Sequence, residues 1–487
     1  MEKKANYRTF VLLLLTLVYG FNFIDRQIVG ILAPWIQADL GLTNTQLGLL
    51  VGLAFATFYT IMGIPLAFLA DKMNRVTLLS IALAVWSGFT ALTGMAQNFL
   101  HIALARVGVG IGEAGGSPPS HSMISDFYGK EERAGALGVY SLGIPLGIMA
   151  AYFFTAALMG ADAEAVNWRR VFIILGAVGI ILAIIVKLVI REPVRGAMEK
   201  NAGSASGYIP LKQSFAEANL LPRFIIFGAL FAALMVAWIT GLSWVFVVPL
   251  SIFIVTMFLL SLQPGVITIL SIKSWWWMAL GIAFASFASY AISGFQTKFL
   301  RLLEPEYDPR TFIMWIGAIN GTFYVAGTFF GAKLVDWRAK KDIRAYGTIP
   351  ALSILAACPL AIAAFWAPTI NLHLIIGAAL QLCLGVYLGP SFAIAQTLAP
   401  IKLRAMSTAL FFFVLNMIAL GGGPTFAGAM IDVFLGTGKT ELSATRWALY
   451  VTFGAYFLAF IFFMLVRITL PKDWAEAEHR NEGGVQG

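Results

Sequence analysis

The sequence is poor in charge. Only 12% of its 487 residues are Asp, Glu, Lys or Arg, about half the share of an ordinary soluble domain. From 224 to 272 there is no charged residue at all. From Val76 to Ser125 the only formal charges are Arg106 and Glu113. This excludes a large water-soluble domain. Cysteine is nearly absent: Cys358 and Cys383 sit alone in apolar runs, so neither a disulfide framework nor a zinc site is indicated. No cofactor and no metal are expected. The start, MEKKANYR, leads into a long apolar run without a small-residue cleavage site, and reads as a first crossing rather than a removed leader.

Long apolar runs are plentiful. They fall at about 8–33, 44–70, 76–97, 99–124, 134–159 and 168–190, then at 275–300, 311–334, 345–367, 371–398, 404–430 and 445–468. Each is long enough to cross about 30 Å of hydrocarbon. The uncharged run 224–272 is too long for one crossing and divides near TGLS at 240–243 into an inserted pair. The expected fold class is an all-α polytopic membrane protein with 14 transmembrane helices: two six-helix bundles and two inserted helices. The bundles span 1–190 and 274–470, the linker with its pair 191–273, and a tail 471–487.

The net charge of +9 is topological. With the N-terminus inside, twenty-four Lys and Arg fall on the inner side, seven outside, and Arg26 and Arg106 within helices. Both termini are expected in the cytoplasm, the chain in the cell's inner membrane, and no nucleic-acid role is expected. A monomer is expected.

The halves echo each other. PLAFLADKMNR (65–75) matches FGAKLVDWRAKKD (330–342), and FYGKEERAGALGVY (127–140) matches LAPIKLRAMSTALFF (398–412). The offsets Asp71 to Asp336 and Arg133 to Arg404 are nearly equal. Repeated bundles are the architecture of alternating-access carriers.

LADKMNR resembles the signature loop of the major facilitator superfamily, with Ala67 where glycine is usual, and SLGIPLGIMAA (141–151) resembles its antiporter-type motif in weakened form. More narrowly, NFIDRQIVGILAPWI (22–36), the stretch 105–147, GAKLVDWRAKKDIRAYGTIPAL (331–352) and STALFFFVLNMIALGGGPTFAGAMID (407–432) resemble the Spinster family. The resemblance departs at 191–273, where the inserted pair replaces a plain loop. It implies a transporter of lysolipids or sphingoid phosphates, with coupling residues at the charged positions of the first and fourth runs.

Those charges lie in hydrocarbon, where each costs at least about 2.5 kcal/mol even on insertion scales, so they face partners or a wet cavity. Arg106 and Glu113 stand two turns apart on one face. Asp25 and Glu113 are the expected proton-coupling groups. Arg26 and Arg106 are expected to hold an anionic head group, since a guanidinium donates two bonds to phosphate, and Asn22, one turn away, to line the cavity. Which carboxylate Arg106 meets stays open. Asp71, Arg75, Arg133, Asp336 and Arg404 are the expected inner gate, with Arg338 beside Asp336.

The literal GxGxxG at Gly110, Gly112 and Gly115 continues an apolar helix and reads as close packing, not a dinucleotide loop. SPPS (117–120) is expected to break that helix, and His121 reads as a core histidine. The second half lacks acids within its helices, and Phe411, Phe412 and Phe413 suggest an apolar wall suited to a lipid tail. The expected function is proton-coupled transport of an amphiphilic anionic lipid. The alternatives are a carrier of a small organic anion, such as a sugar acid or sugar phosphate, and an integral-membrane enzyme or sensor, for which no nucleophile–base constellation is visible.

Overall fold

Short polar caps in an oily chain mark where the helices begin. Thr43 accepts from Gln46 N and Gln46 Oε1 accepts from Thr43 N, a reciprocal box. Asn74, Asn98, Asn167 and Asp308 likewise accept from the first turns they precede. The computed structural model describes residues 2–159, 166–195, 266–400 and 403–482, with isolated positions between 226 and 258.

The helices are α1 (Glu2–Ile31), α2 (Ala33–Leu40), α3 (Asn44–Val51), α4 (Leu53–Lys72), α5 (Arg75–Thr93), α6 (Phe99–Glu113), α7 (Ser117–Phe127), α8 (Lys130–Ser141), α9 (Gly143–Leu158) and α10 (Trp168–Val189). After the linker come α11 (Lys273–Leu303), α12 (Pro309–Ile319), α13 (Val325–Ala339), α14 (Ala345–Trp366), α15 (Ile370–Gly385), α16 (Leu388–Thr397), α17 (Arg404–Leu415), α18 (Gly423–Gly436) and α19 (Glu441–Glu482). Among the described residues no strand occurs, and 11 helical segments are long and apolar enough to cross a membrane. The fourth apolar run forms the pair α6–α7, broken at Ala114–Gly116. The fold is all-α and polytopic, as expected. The inserted pair expected at 224–272 lies almost wholly outside the described residues.

Two compact units result. The first takes in Met1–Ser214, Ser293–Arg301 and Pro305–Gly321, the second Phe215–Ile292, Leu302–Glu304 and Thr322–Gly487. In the first, α10 lies along α5 and α1 along α9. Apolar residues cover both faces of these helices. On α10, Leu182, Ala183 and Val186 turn inward while Ile181, Ile184 and Leu188 stay exposed, the pattern of a helix with lipid on its outer side. Lipid gives no hydrophobic drive between helices, so close backbone approach must hold them. Gly147 in SLGIPLGIMAA supplies it: a Cβ there would collide with the Gly20 carbonyl of α1.

Ser293–Arg301 of α11 and the whole of α12 belong to the first unit, and polar contacts tie them there. Lys298, buried, donates to Gln37 Oε1 at 2.8 Å and to Asn44 Oδ1. Ser293 donates to Gln27 at 2.6 Å, and Arg310 to the Met159 carbonyl. Asn320 and Asn416 each open a π-helical segment, Asn320–Tyr324 and Asn416–Gly422. Such segments widen the helix locally and often mark functional positions.

Phe411 and Phe413 are core residues, Phe411 edge-on to Trp275 at 5.7 Å, and only Phe412 is exposed. Successive helical residues point about 100° apart, so the expected wall of three phenylalanines reduces to one. Helix α6 ends before the prolines of SPPS. They sit in the first turn of α7, where a missing N–H costs nothing. His121 is exposed and edge-on to Tyr140, not the core histidine expected.

Candidate functional site

The charges of the first unit converge. Asp25 and Arg26 are neighbours on α1, about 100° apart around the helix, so they face different partners. Arg106 Nη1 donates to Asp25 Oδ1 at 3.3 Å. Arg26 Nε donates to Glu113 Oε2 at 2.8 Å. The partners on α6 stand two turns apart, so the two pairs cross, with the long Arg26 side chain covering the difference. Asp25, Arg106 and Glu113 are essentially inaccessible, and the Arg26 side chain is 10% exposed.

Two glycines let α6 come this close. A Cβ at Gly110 would stand 2.7 Å from the Phe55 carbonyl of α4, and one at Gly112 2.7 Å from Trp86 N of α5. The GxGxxG is therefore a packing surface, as its helical setting implies.

Aromatic rings seat the guanidiniums. Arg26 lies over Tyr59 at 4.2 Å, Phe23 at 5.0 Å and Phe55 at 5.1 Å. The Phe55 ring also carries Arg106 at 4.9 Å. A cation over a ring face gains about 2 kcal/mol or more when desolvated. Thr90 of α5 completes the group, its hydroxyl within bonding reach of Asp25 Oδ2 and of the Trp86 carbonyl at 2.9 Å.

Some bonding capacity is left over. Asn22 Oδ1, Glu113 Oε1 and Arg106 Nε are buried without a hydrogen-bond partner. A buried orphan polar atom costs about 1–3 kcal/mol. Two acceptors and a guanidinium N–H held this way can receive a proton and an anionic oxygen. Among the described residues no three His, Cys, Asp or Glu side chains gather as metal ligands would.

Three of the expected gate residues have described side-chain partners. Arg75, 1% exposed, is bound inside the first unit. It donates to Asp126 at 2.5 Å, Glu192 at 2.7 Å, Ser122 at 2.8 Å and the Pro193 carbonyl at 2.9 Å. Glu192 also accepts from Val76 N at the start of α5, and Arg195 donates to the Ala70 and Met73 carbonyls at the end of α4. The segment just after α10 thus straps the α4–α5 loop. Arg133 donates to the Ser125 carbonyl at 2.9 Å. Asp336 is exposed and accepts from Tyr346 at 3.2 Å. The side chains of Asp71 and Arg404 lie outside the described residues.

Sequence reasoning missed Thr90 and Glu192. Thr90 had a weak signal: Ser80, Ser87 and Thr90, seven and three residues apart, share one helical face of an apolar run. Glu192 had none, standing among other charges just past the membrane.

The fold and the sequence both have known counterparts. Over 96% of this chain and 98% of the other, the fold is similar to the crystal structure of a bacterial homologue of the human lysosomal transporter Spinster, inward-facing and occupied, with TM-score 0.76 and 28% identity. An MFS-type efflux pump of Mycolicibacterium smegmatis is 29% identical over 423 residues, 86% of this chain and 83% of that one. The probable L-galactonate transporter of Escherichia coli strain K12 is 32% identical over 177 residues, 36% of this chain and 38% of its own length. Residues 15–303 match the profile of the Major Facilitator Superfamily. The chain, a multi-pass membrane transporter with a Spinster-like fold, belongs to the major facilitator superfamily.

Proposed function

We propose that this transporter couples protons to the movement of an amphiphilic anionic lipid, a lysophospholipid or sphingoid phosphate, by alternating access. The crossed pairs Asp25–Arg106 and Arg26–Glu113 carry the reading. A buried ion pair gains little over apolar packing. Its presence in hydrocarbon therefore suits exchange of partners better than stability. A proton on Glu113 releases Arg26, whose planar fork then takes a phosphate or carboxylate, and the Arg106 Nε and Asn22 Oδ1 atoms add contacts. Proton and anion then bind together, each strengthening the other. Ionised Glu113 recaptures Arg26 and expels the anion. Asp25 plays the corresponding part for Arg106.

Asp71, Arg75, Arg133, Asp336 and Arg404 form the inner gate in this scheme, with Arg75 tied to Asp126 and Glu192 just beyond the end of α4 that carries Asp71. Both termini are cytoplasmic, the chain works as a monomer in the cell's inner membrane, and it carries out no covalent chemistry. The lipid is favoured because the Spinster-like similarity runs the length of both chains.

A second reading, a small organic anion such as a sugar acid, is favoured by the resemblance of 36% of the chain to the probable L-galactonate transporter. Uptake of labelled lysophosphatidic acid and labelled galactonate into sealed proteoliposomes separates the two. The lipid reading predicts saturable lysophosphatidic acid uptake that galactonate does not compete. Galactonate uptake that the lipid leaves untouched overturns it.

A further inference from the structure

The geometry points to Thr90 as a positioning residue that reports whether Asp25 carries a proton, an inference that rests on the proton-coupling reading above. Thr90 has one hydroxyl proton and two acceptors within reach, Asp25 Oδ2 and the Trp86 carbonyl. While Asp25 is ionised, both are acceptors only, and the hydroxyl can donate to one of them. Once Oδ2 is protonated, Asp25 donates to Thr90 Oγ1 and Thr90 donates to Trp86, so both contacts are hydrogen bonds. Arg106 occupies the other oxygen, Oδ1, which leaves Oδ2 as the proton's seat. The charge on α1 is thereby read as the direction of one hydroxyl on α5.

The other charged groups around Asp25 are Arg106 of α6, Arg26 on its own helix and Glu113 beyond Arg26. None of them touches Oδ2. Thr90 and Asp25 are both buried, at 1% and 0% exposure, so water does not substitute for the hydroxyl.

Hydrogen bonds to charged groups are stronger than those between neutral ones. Thr90 therefore favours ionised Asp25 on balance. Removing its hydroxyl should move proton uptake by Asp25 to higher pH, by roughly half a unit to one unit. Valine has the shape of threonine without the hydroxyl, and serine keeps the hydroxyl without the methyl group.

The test is an infrared pH titration of the purified full-length protein, with the carboxylic-acid band of Asp25 assigned as the one lost in Asp25→Asn. In Thr90→Val that band should change frequency and its midpoint should rise. In Thr90→Ser both should return toward wild type. An unchanged band and midpoint in Thr90→Val overturn the role of Thr90 while leaving proton coupling standing. If Asp25→Asn removes no titrating band, the assignment of coupling to Asp25 falls, and the role of Thr90 with it.

Discussion

Arg26 reaches Glu113 at 2.8 Å, although Asp25, its neighbour on α1, pairs with Arg106 two turns away on α6. Each acid takes its arginine from the other helix. The pairs hold α1 and α6 at two levels, and releasing either one leaves the other in place.

The Arg26–Glu113 pair has a stability signature. Glu113→Leu alone leaves a guanidinium without its carboxylate and should cost about 3–5 kcal/mol. Arg26→Met with Glu113→Leu should cost clearly less than the two single changes added, because no buried charge remains. Thermal unfolding of the four proteins in detergent reads the difference; additive losses would mean that the pair is not coupled.

Tyr59 seats Arg26 by its ring. Tyr59→Phe keeps the ring but loses the hydroxyl's contact with Arg26, and should bind substrate more tightly than Tyr59→Leu. Tyr59→Leu removes the ring, and a loss of about 1–2 kcal/mol of cation–π attraction corresponds to a fall in substrate affinity of roughly five- to thirty-fold. Binding isotherms for lysophosphatidic acid check the contrast.

Arg75 binds Asp126 and Glu192 together. Arg75→Met leaves those two carboxylates without their cation and should lower stability by about 3–5 kcal/mol. Glu192→Gln keeps an acceptor for Val76 N and should cost only about 1 kcal/mol. Equal losses would show that the strap is held by contacts other than these charges.

At the opposite end of α10, Asp39 accepts from Arg169 and from Trp168 Nε1 at 3.1 Å. The Arg169 hydrogen bond, aided by that from Trp168, holds its carboxyl below the usual carboxylate range. A depressed folded value stabilises the protein above the unfolded value, near 3.9, and the gain is lost as pH falls through the folded value. The pair is exposed, so the gain is under about 1 kcal/mol. Asp39→Asn should lower the unfolding temperature slightly at pH 7, by an amount that shrinks as the pH falls below the unfolded value, by calorimetry.

The crossings and the four site charges were legible because both are conspicuous in oil: a run of about twenty apolar residues has few other uses, and Asp25, Arg26, Arg106 and Glu113 each carry a cost that demands a reason. Their pairing was not legible. It depends on the angle between α1 and α6 and on how far the Arg26 side chain extends, and neither leaves a trace in spacing. Thr90 was hidden because threonines inside helices commonly bond their own backbone, as this one also does. Three consecutive phenylalanines at 411–413 read as one surface only until helical geometry divides them.

The most direct test is uptake of labelled lysophosphatidic acid by proteoliposomes holding wild type, Glu113→Gln or Asp25→Asn, with and without a pH gradient. Coupling predicts that wild-type uptake responds to the gradient and that the neutral variants still move substrate without that response. Gradient-independent wild-type uptake, with variants that only lower protein yield, would make these charges packing residues and contradict the account.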